Sequence, residues 1–442
     1  MGQTDDPGES ARDDQSIAHD ACSAPARTSS HQAGRSDLAS ALLIMGLASC
    51  VLVLSFTTGV ASTNPMSRFA TIDSLVHDHA FIINRSVFLD TADKVQIDGR
   101  YYSSKPPLLS TVGAVVYRAL HQVTGLSFRE DKLLAVKVIN MLFGAIPHAL
   151  LLFYAYLFLT KLNVSGRVVL WSFVCFAFGR LGLAYSTTLN NHTVAELAGF
   201  VAFYHAWGLR RGHLSGGWHW IAAGMAAGLA PPLDLGMMFL SCAIGVYLLS
   251  WDWRRTLTRF APASLPPLVA HFALTWMISG GWRPIYLRRE LYEYPGSYWL
   301  APTGMDALDE PRLTYLFNML LGHHGVLSMT PVLAFALWAI GRAVIKRSGC
   351  QAEAIAIGSA FAVMVTFYTI TTKNYGGFCV GFRWLMPMTP LLLAFLPLWM
   401  SRNRSRLAWM VFVACALVSQ FHAFDGLHDP WLPSQWDRWL TG

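Results

Sequence analysis

The sequence predicts an all-α polytopic membrane bundle, and three observations carry that prediction. Hydrophobic residues make up 54% of the 442-residue chain, while Asp, Glu, Lys and Arg together make up only 13%. Apolar runs of about 18 to 25 residues recur along it, the length a helix needs to cross a bilayer. Its cations gather in the short segments between those runs, where they would set topology.

The first 37 residues are rich in Ser, Ala, Asp and Arg and too poor in apolar residues to order themselves, so residues 1–37 read as a disordered cytoplasmic tail. The run from Leu38 to about Val60 is longer than a signal-peptide core and lies far from Met1, which makes it a retained anchor. Further runs cover roughly Leu133 to Thr160, Val168 to Thr187, Thr193 to Leu209, Trp218 to Pro232, Leu235 to Leu249 and Leu257 to Ile278. Val326 to Ile345, Ala354 to Thr372, Trp384 to Met400 and Leu407 to Phe424 complete a set of about eleven spans. Residues 38–424 thus form one transmembrane domain with a first outer loop at 61–107, and 425–442 form an outer-side tail.

Orientation follows from the basic loops at Lys161 and Arg167, at Arg210 and Arg211, at Arg254, Arg255 and Arg259, at Arg342, Lys346 and Arg347, and at Arg402, Arg404 and Arg406. The positive-inside rule makes all of these cytoplasmic. Leu108 to Gly125 then has no room to cross and reads as an interfacial or re-entrant helix, with Arg118, His121 and Gln122 on one polar face. Every segment of unusual polar chemistry falls on the outer side, where converging loops build a site on a helical scaffold.

Several classes are excluded or not indicated. The formal charge of +7 is explained by the topology-setting loops and points to no nucleic acid. Four of the seven cysteines, Cys50, Cys175, Cys242 and Cys415, sit inside apolar runs, which does not suggest a disulfide framework. No phosphate loop, CxxC pair or HExxH helix is present, so neither a nucleotide-binding domain nor zinc chemistry is indicated.

The most informative stretch is Asp98-Gly99-Arg100-Tyr101-Tyr102-Ser103-Ser104-Lys105-Pro106-Pro107, which sets cations, tyrosines and a carboxylate between long apolar segments. With Ser67-Arg68-Phe69-Ala70-Thr71-Ile72-Asp73 upstream, it resembles the first extracytoplasmic loop of GT-C class membrane glycosyltransferases, of the aminoarabinose and O-mannosyl transferase kind. The segments from Leu320 to Pro331 and from Asn374 to Trp384 resemble late loop motifs of the same class, in matching order. The resemblance implies a GT-C bundle whose long first extracytoplasmic loop bears interfacial helices. It also implies transfer of a sugar from a polyprenyl-phosphate carrier at a bacterial cytoplasmic (inner) membrane.

Such chemistry asks for cations on the phosphate, where low dielectric makes each one count. Lys105 matches the lysine before proline that the resembling enzymes use near the carrier phosphate, and Arg68 and Arg383 are further candidates; the competing reading is anchoring at the lipid interface. A general base is also needed. Here the chain departs from the class, with Asn64-Pro65-Met66 and Ser104 standing where acidic residues are expected. Asp93 and Asp73 are the nearest replacements, ahead of Asp98, whose pairing with Gly99 reads as a turn, and Asp234. Sugar hydroxyls and rings would be met by Tyr101, Tyr102, His323, His324, Asn374 and Tyr375 together with Asn190, Asn191 and His192. The sequence names no certain cofactor, and a divalent cation is compatible with the chemistry. The expected function is inverting transfer of a sugar from a polyprenyl-phosphate donor to an acceptor on the outer face. The alternatives are a transporter or flippase of polyprenyl-linked sugars and a catalytically inactive GT-C-like scaffold.

Overall fold

The computed structural model describes residues 40–49 and 62–434. The expected tail at 1–37, most of the first anchor and the last eight residues lie outside this range. The described chain is a multi-pass helical bundle in which four helices are long and apolar enough to cross a membrane: Lys132–Leu159, Trp253–Ser279, Gln351–Thr371 and Arg406–His428. Shorter apolar helices, among them Gly166–Phe178, Met237–Leu249 and Leu333–Ile345, pack beside them. Beyond Arg254, Arg255 and Arg259 in its first turns, helix Trp253–Ser279 is largely apolar, and Leu257, Leu265, Val269, Trp276 and Met277 are exposed along it. An apolar helix surface of this kind is stable against lipid and costly in water.

At the centre stands Asn191–Arg210, buried along nearly its whole length and packed against Ile146–Leu159, Gly217–Leu233 and Met237–Leu249. Its start is fixed by Asn190, whose side-chain oxygen accepts from the Thr193 amide at 3.0 Å. The same side chain donates to the Tyr185 carbonyl at 2.6 Å, so the cap is tied to the preceding turn. Deep in the bundle Arg180 and Glu196 form a wholly buried ion pair. Arg180 also donates from Nε to the Phe176 carbonyl at 2.8 Å and lies 3.1 Å from His148 Nδ1.

Two apolar runs break up at proline. Val326 to Ile345 becomes a short turn at Val326–Met329 and a helix at Leu333–Ile345, separated at Pro331. Trp384 to Met400 becomes three pieces, Met386–Met388, Thr389–Leu393 and Leu396–Arg402, each with proline in its first turn. A proline lacks the N–H for the preceding turn and is best tolerated at a helix start.

The first long loop is folded. Helix Thr63–His77, capped by Ser62, buries most of its length and packs against helix Pro107–Thr124. The latter is amphipathic and presents Val112, Val115 and Val123 outward, as an interfacial helix would. Between the two lies a feature not anticipated from sequence: an antiparallel hairpin of β1 (Lys94–Ile97) and β2 (Arg100–Ser103). Asp98 and Gly99 form its turn, both with positive φ, at 50° and 73°. That is the two-residue hairpin connection an Asp-Gly pair favours, and it makes the exposed Asp98 a turn former.

Candidate functional site

A cavity of about 800 Å³ opens where this folded loop meets the loops after Ser279 and after Thr372. Helix Thr63–His77 and the hairpin set its charged wall. Ser67 donates to the Asp93 carbonyl at 2.5 Å, and Ser104 adds backbone and side-chain bonds to the same oxygen at 3.1 and 2.9 Å. Thr91 donates to the Thr63 carbonyl at 2.8 Å. The Asp93 backbone is thereby pinned to the helix, and its side chain enters the cavity beside Thr63 Oγ1, 3.2 Å away. Lys105, just past the hairpin, closes an ion pair with Asp93 at 2.7 Å.

One arginine completes the wall and a second backs it. Arg383 lines the cavity with its guanidinium 5.0 Å from the Trp431 ring centre. It is 7% exposed, and its Nε and Nη1 have no hydrogen-bond acceptor among the described residues. Arg68 lies behind the wall, buried, and donates to Asn64 and to Asn191. Asn191 in turn donates to the Leu233 carbonyl at 2.8 Å, so Arg68 links the folded loop to the central helix. The loop carrying Arg383 turns at Gly376 and Gly377, with φ of 94° and 84°, a conformation glycine adopts without strain. A Cβ at Gly376 would stand 2.8 Å from Arg383 Nε, so the guanidinium needs this gap.

The charges act on one another. Burial pushes the Lys105 ammonium down; Asp93 opposes this, Arg68 and Arg383 add to it, and the result is about 8. Burial would raise the Asp93 carboxyl, but Lys105, Arg383 and Arg68 together hold it below the ordinary range. Burial lowers Arg68 to about 9, with Arg383 pushing the same way. Cations crowded on the wall of a cavity until their own protonation weakens make a site that an anion would relieve.

Of the residues expected from sequence, Asp93, Lys105, Arg383 and Asn374 line the cavity, and Arg68 stands directly behind them. The others do not line it. Asp73 is buried elsewhere, accepting from the Val87 amide at 3.1 Å and from Arg129 Nε at 3.4 Å, with His77 3.7 Å away. These bonds join helix Thr63–His77 to the following loop, as a structural anchor does. Tyr101 packs on Tyr294, ring centres 5.4 Å apart, and Tyr102 sits opposite Val95 in the hairpin. His323 and His324 pack on Tyr375 at 4.8 and 5.1 Å, and the Tyr375 hydroxyl bonds Glu310. That cluster braces the loop whose next residue along the wall is Asn374. Among the described residues no three His, Cys, Asp or Glu side chains are grouped as metal ligands.

Sequence reasoning passed over the opposite wall. Tyr286, Tyr292, Tyr298 and Trp299 line it, together with Asp306, whose Oδ2 lies 3.1 Å from the Tyr298 hydroxyl. Trp299 donates to the Ala92 carbonyl at 3.0 Å and so fastens this wall to the residue before Asp93. The signal was the density of aromatics between Trp282 and Trp299 in a segment with no apolar span.

No family model matches the chain, and no curated protein matches it in sequence. Solved structures do. ArnT from Cupriavidus metallidurans in the apo state superposes with a TM-score of 0.56 at 15% identity, over 84% of this chain and 61% of that one. The same protein bound to undecaprenyl phosphate gives 0.57 at 14% identity, over 84% and 62%. AglB, an archaeal oligosaccharyltransferase from Archaeoglobus fulgidus in complex with an inhibitory peptide and a dolichol-phosphate, superposes more loosely, at 0.49 and 12% identity over 89% and 56%. The chain thus spans about three-fifths of the length of ArnT. Its bundle of membrane helices with a folded first loop is the GT-C fold.

Proposed function

We propose that this protein is a membrane glycosyltransferase that moves a sugar from a polyprenyl-phosphate donor to an acceptor on the outer face of the cytoplasmic membrane, with inversion. The observation that carries the reading is the convergence of Lys105, Arg383 and, behind them, Arg68 on an aromatic-walled cavity at the edge of an apolar bundle. The phosphate of a lipid-linked sugar needs such cations twice, to be held in the ground state and to accept charge as the sugar leaves. The binding of undecaprenyl phosphate by ArnT, a protein of the same fold, supports the choice of carrier.

In this mechanism Lys105 and Arg383 meet the phosphate oxygens and Arg68 supplies field from behind. Asp93 orients Lys105 and keeps it charged. Bringing donor and acceptor together in a cavity walled by aromatics provides the orientation that a single displacement requires. The test is to incubate the purified protein with a panel of polyprenyl-phosphate sugars and score free polyprenyl phosphate. Release from at least one donor is expected. A flippase would move such a lipid across a vesicle membrane without consuming it, and that result would replace this reading.

A further inference from the structure

Three carboxylates line the cavity: Asp93, Glu293 and Asp306. A proton acceptor for an acceptor hydroxyl must be a free carboxylate within reach of the reacting atoms, with a proton affinity not pulled down by neighbouring cations. Asp93 fails the second condition, since Lys105 sits on it at 2.7 Å and both arginines add their fields. Glu293 is 59% exposed in its side chain and lies 3.9 Å from Arg289, at the cavity's solvent edge. Asp306 lines the same cavity, and Arg383 and Lys105 act on it less strongly than burial does. Among the described residues its carboxylate has one hydrogen-bond partner, the Tyr298 hydroxyl, and no cation within ion-pair distance. Its Oδ1 lies 3.4 Å from the point where a Cβ on Gly377 would stand, so the carboxylate faces the loop that carries Arg383.

We infer that Asp306 is the general base of the proposed transfer, taking the proton of the acceptor hydroxyl while Asp93 acts only to position Lys105. The assignment rests on the transferase reading. An Asp306 oxygen takes the proton, and the acceptor oxygen bonds to the anomeric carbon. The bond from that carbon to the phosphate oxygen breaks with its electron pair staying on phosphate, where Lys105 and Arg383 receive the added charge. The surroundings favour proton uptake, because burial raises the Asp306 carboxyl and Asp93 adds to the rise, against the Tyr298 hydrogen bond and the more distant charges of Arg383 and Lys105.

The experiment compares donor turnover by wild type, Asp306→Asn and Asp93→Asn, with donor binding measured on each. Asp306→Asn is expected to lose kcat by roughly 10²-fold or more with donor affinity near wild type. Asp93→Asn is expected to weaken donor binding, because Lys105 loses its partner. Wild-type kcat in Asp306→Asn, or an Asp93→Asn protein that binds donor normally yet does not turn over, would overturn the assignment. If Asp306→Asn does not fold, Tyr298→Phe decides, read on the acid limb of the kcat profile. Removing the hydroxyl should move that limb to higher pH, and an unmoved limb would count against Asp306. A wild-type protein that consumes no donor in the panel would fail the transferase reading itself, and this assignment with it.

Discussion

Two buried ion pairs in this protein have similar chemistry and opposite surroundings. Arg180 and Glu196 face each other inside the bundle with both side chains at 0% exposure, and Arg180 spends further donors on Phe176 and His148. Lys105 and Asp93 pair at the wall of a cavity, next to an arginine with two N–H groups unmatched among the described residues. The first pair is sealed inside the bundle, away from the cavity, although Glu196 Oε2 has no hydrogen-bond partner among the described residues. The second is an excess of cation over anion held open by a rigid hairpin, and the excess is what a phosphate would neutralise. A buried charge is therefore a functional hint only when it also opens on a cavity that a ligand can enter.

The contrast can be broken most forcefully at the closed pair. Arg180→Ala leaves Glu196 buried without its cation, and unfolding in detergent should lose about 3–5 kcal/mol of stability. Loss of activity without loss of stability there would erase the distinction between the two pairs. At the open pair the expectation reverses. Lys105→Ala should keep the fold, because Arg68 and Arg383 remain near Asp93, while turnover falls by about 10²- to 10³-fold. Lys105→Arg retains charge in a different geometry and should recover part of that loss.

A smaller effect sharpens the same point through pH. Lys105 must be cationic to hold phosphate, and its value near 8 means that the free enzyme loses this charge as pH rises through that point. The kcat/KM for donor should fall on the alkaline side near pH 8, and the limb should move to higher pH in Lys105→Arg, whose guanidinium stays charged. A flat profile to about pH 10 would remove Lys105 from the phosphate. The smallest effect is expected at Asp73. Asp73→Asn keeps an oxygen for the Val87 amide but loses the charge facing Arg129, so thermal stability should drop by about 1 kcal/mol and the folded protein should turn over normally.

Much of the bundle was legible because membrane helices are specified by composition over a whole run. Arg406–His428 was expected as Leu407 to Phe424, and Pro107–Thr124 as Leu108 to Gly125. The run from Trp384 to Met400 failed for a local reason, as Pro387, Pro390 and Pro397 each restart the helix. The Asp98-Gly99 turn was read, but not the hairpin around it, since Lys94–Ile97 and Arg100–Ser103 are too short for alternation to stand out. At the site, the positions of Lys105, Arg383 and Asp93 followed from charge in a membrane-edge loop. Asp306 did not, because a loop carboxylate among 3₁₀ turns acquires its place only when Trp299 and Tyr298 fold that loop onto the hairpin. Asp73 stands apart from the cavity for the converse reason: its burial partner Arg129 lies 56 residues away.

The central claim is that this cavity grips a phosphate, and it is tested most directly by comparing polyprenyl phosphate with the uncharged polyprenol of the same length. Binding of each to the purified protein would be measured for wild type and for Lys105→Ala. The account predicts that wild type binds the phosphate at least about 10²-fold more tightly and that Lys105→Ala loses most of this preference. Equal binding of the two lipids by wild type, or a preference untouched by Lys105→Ala, would contradict it.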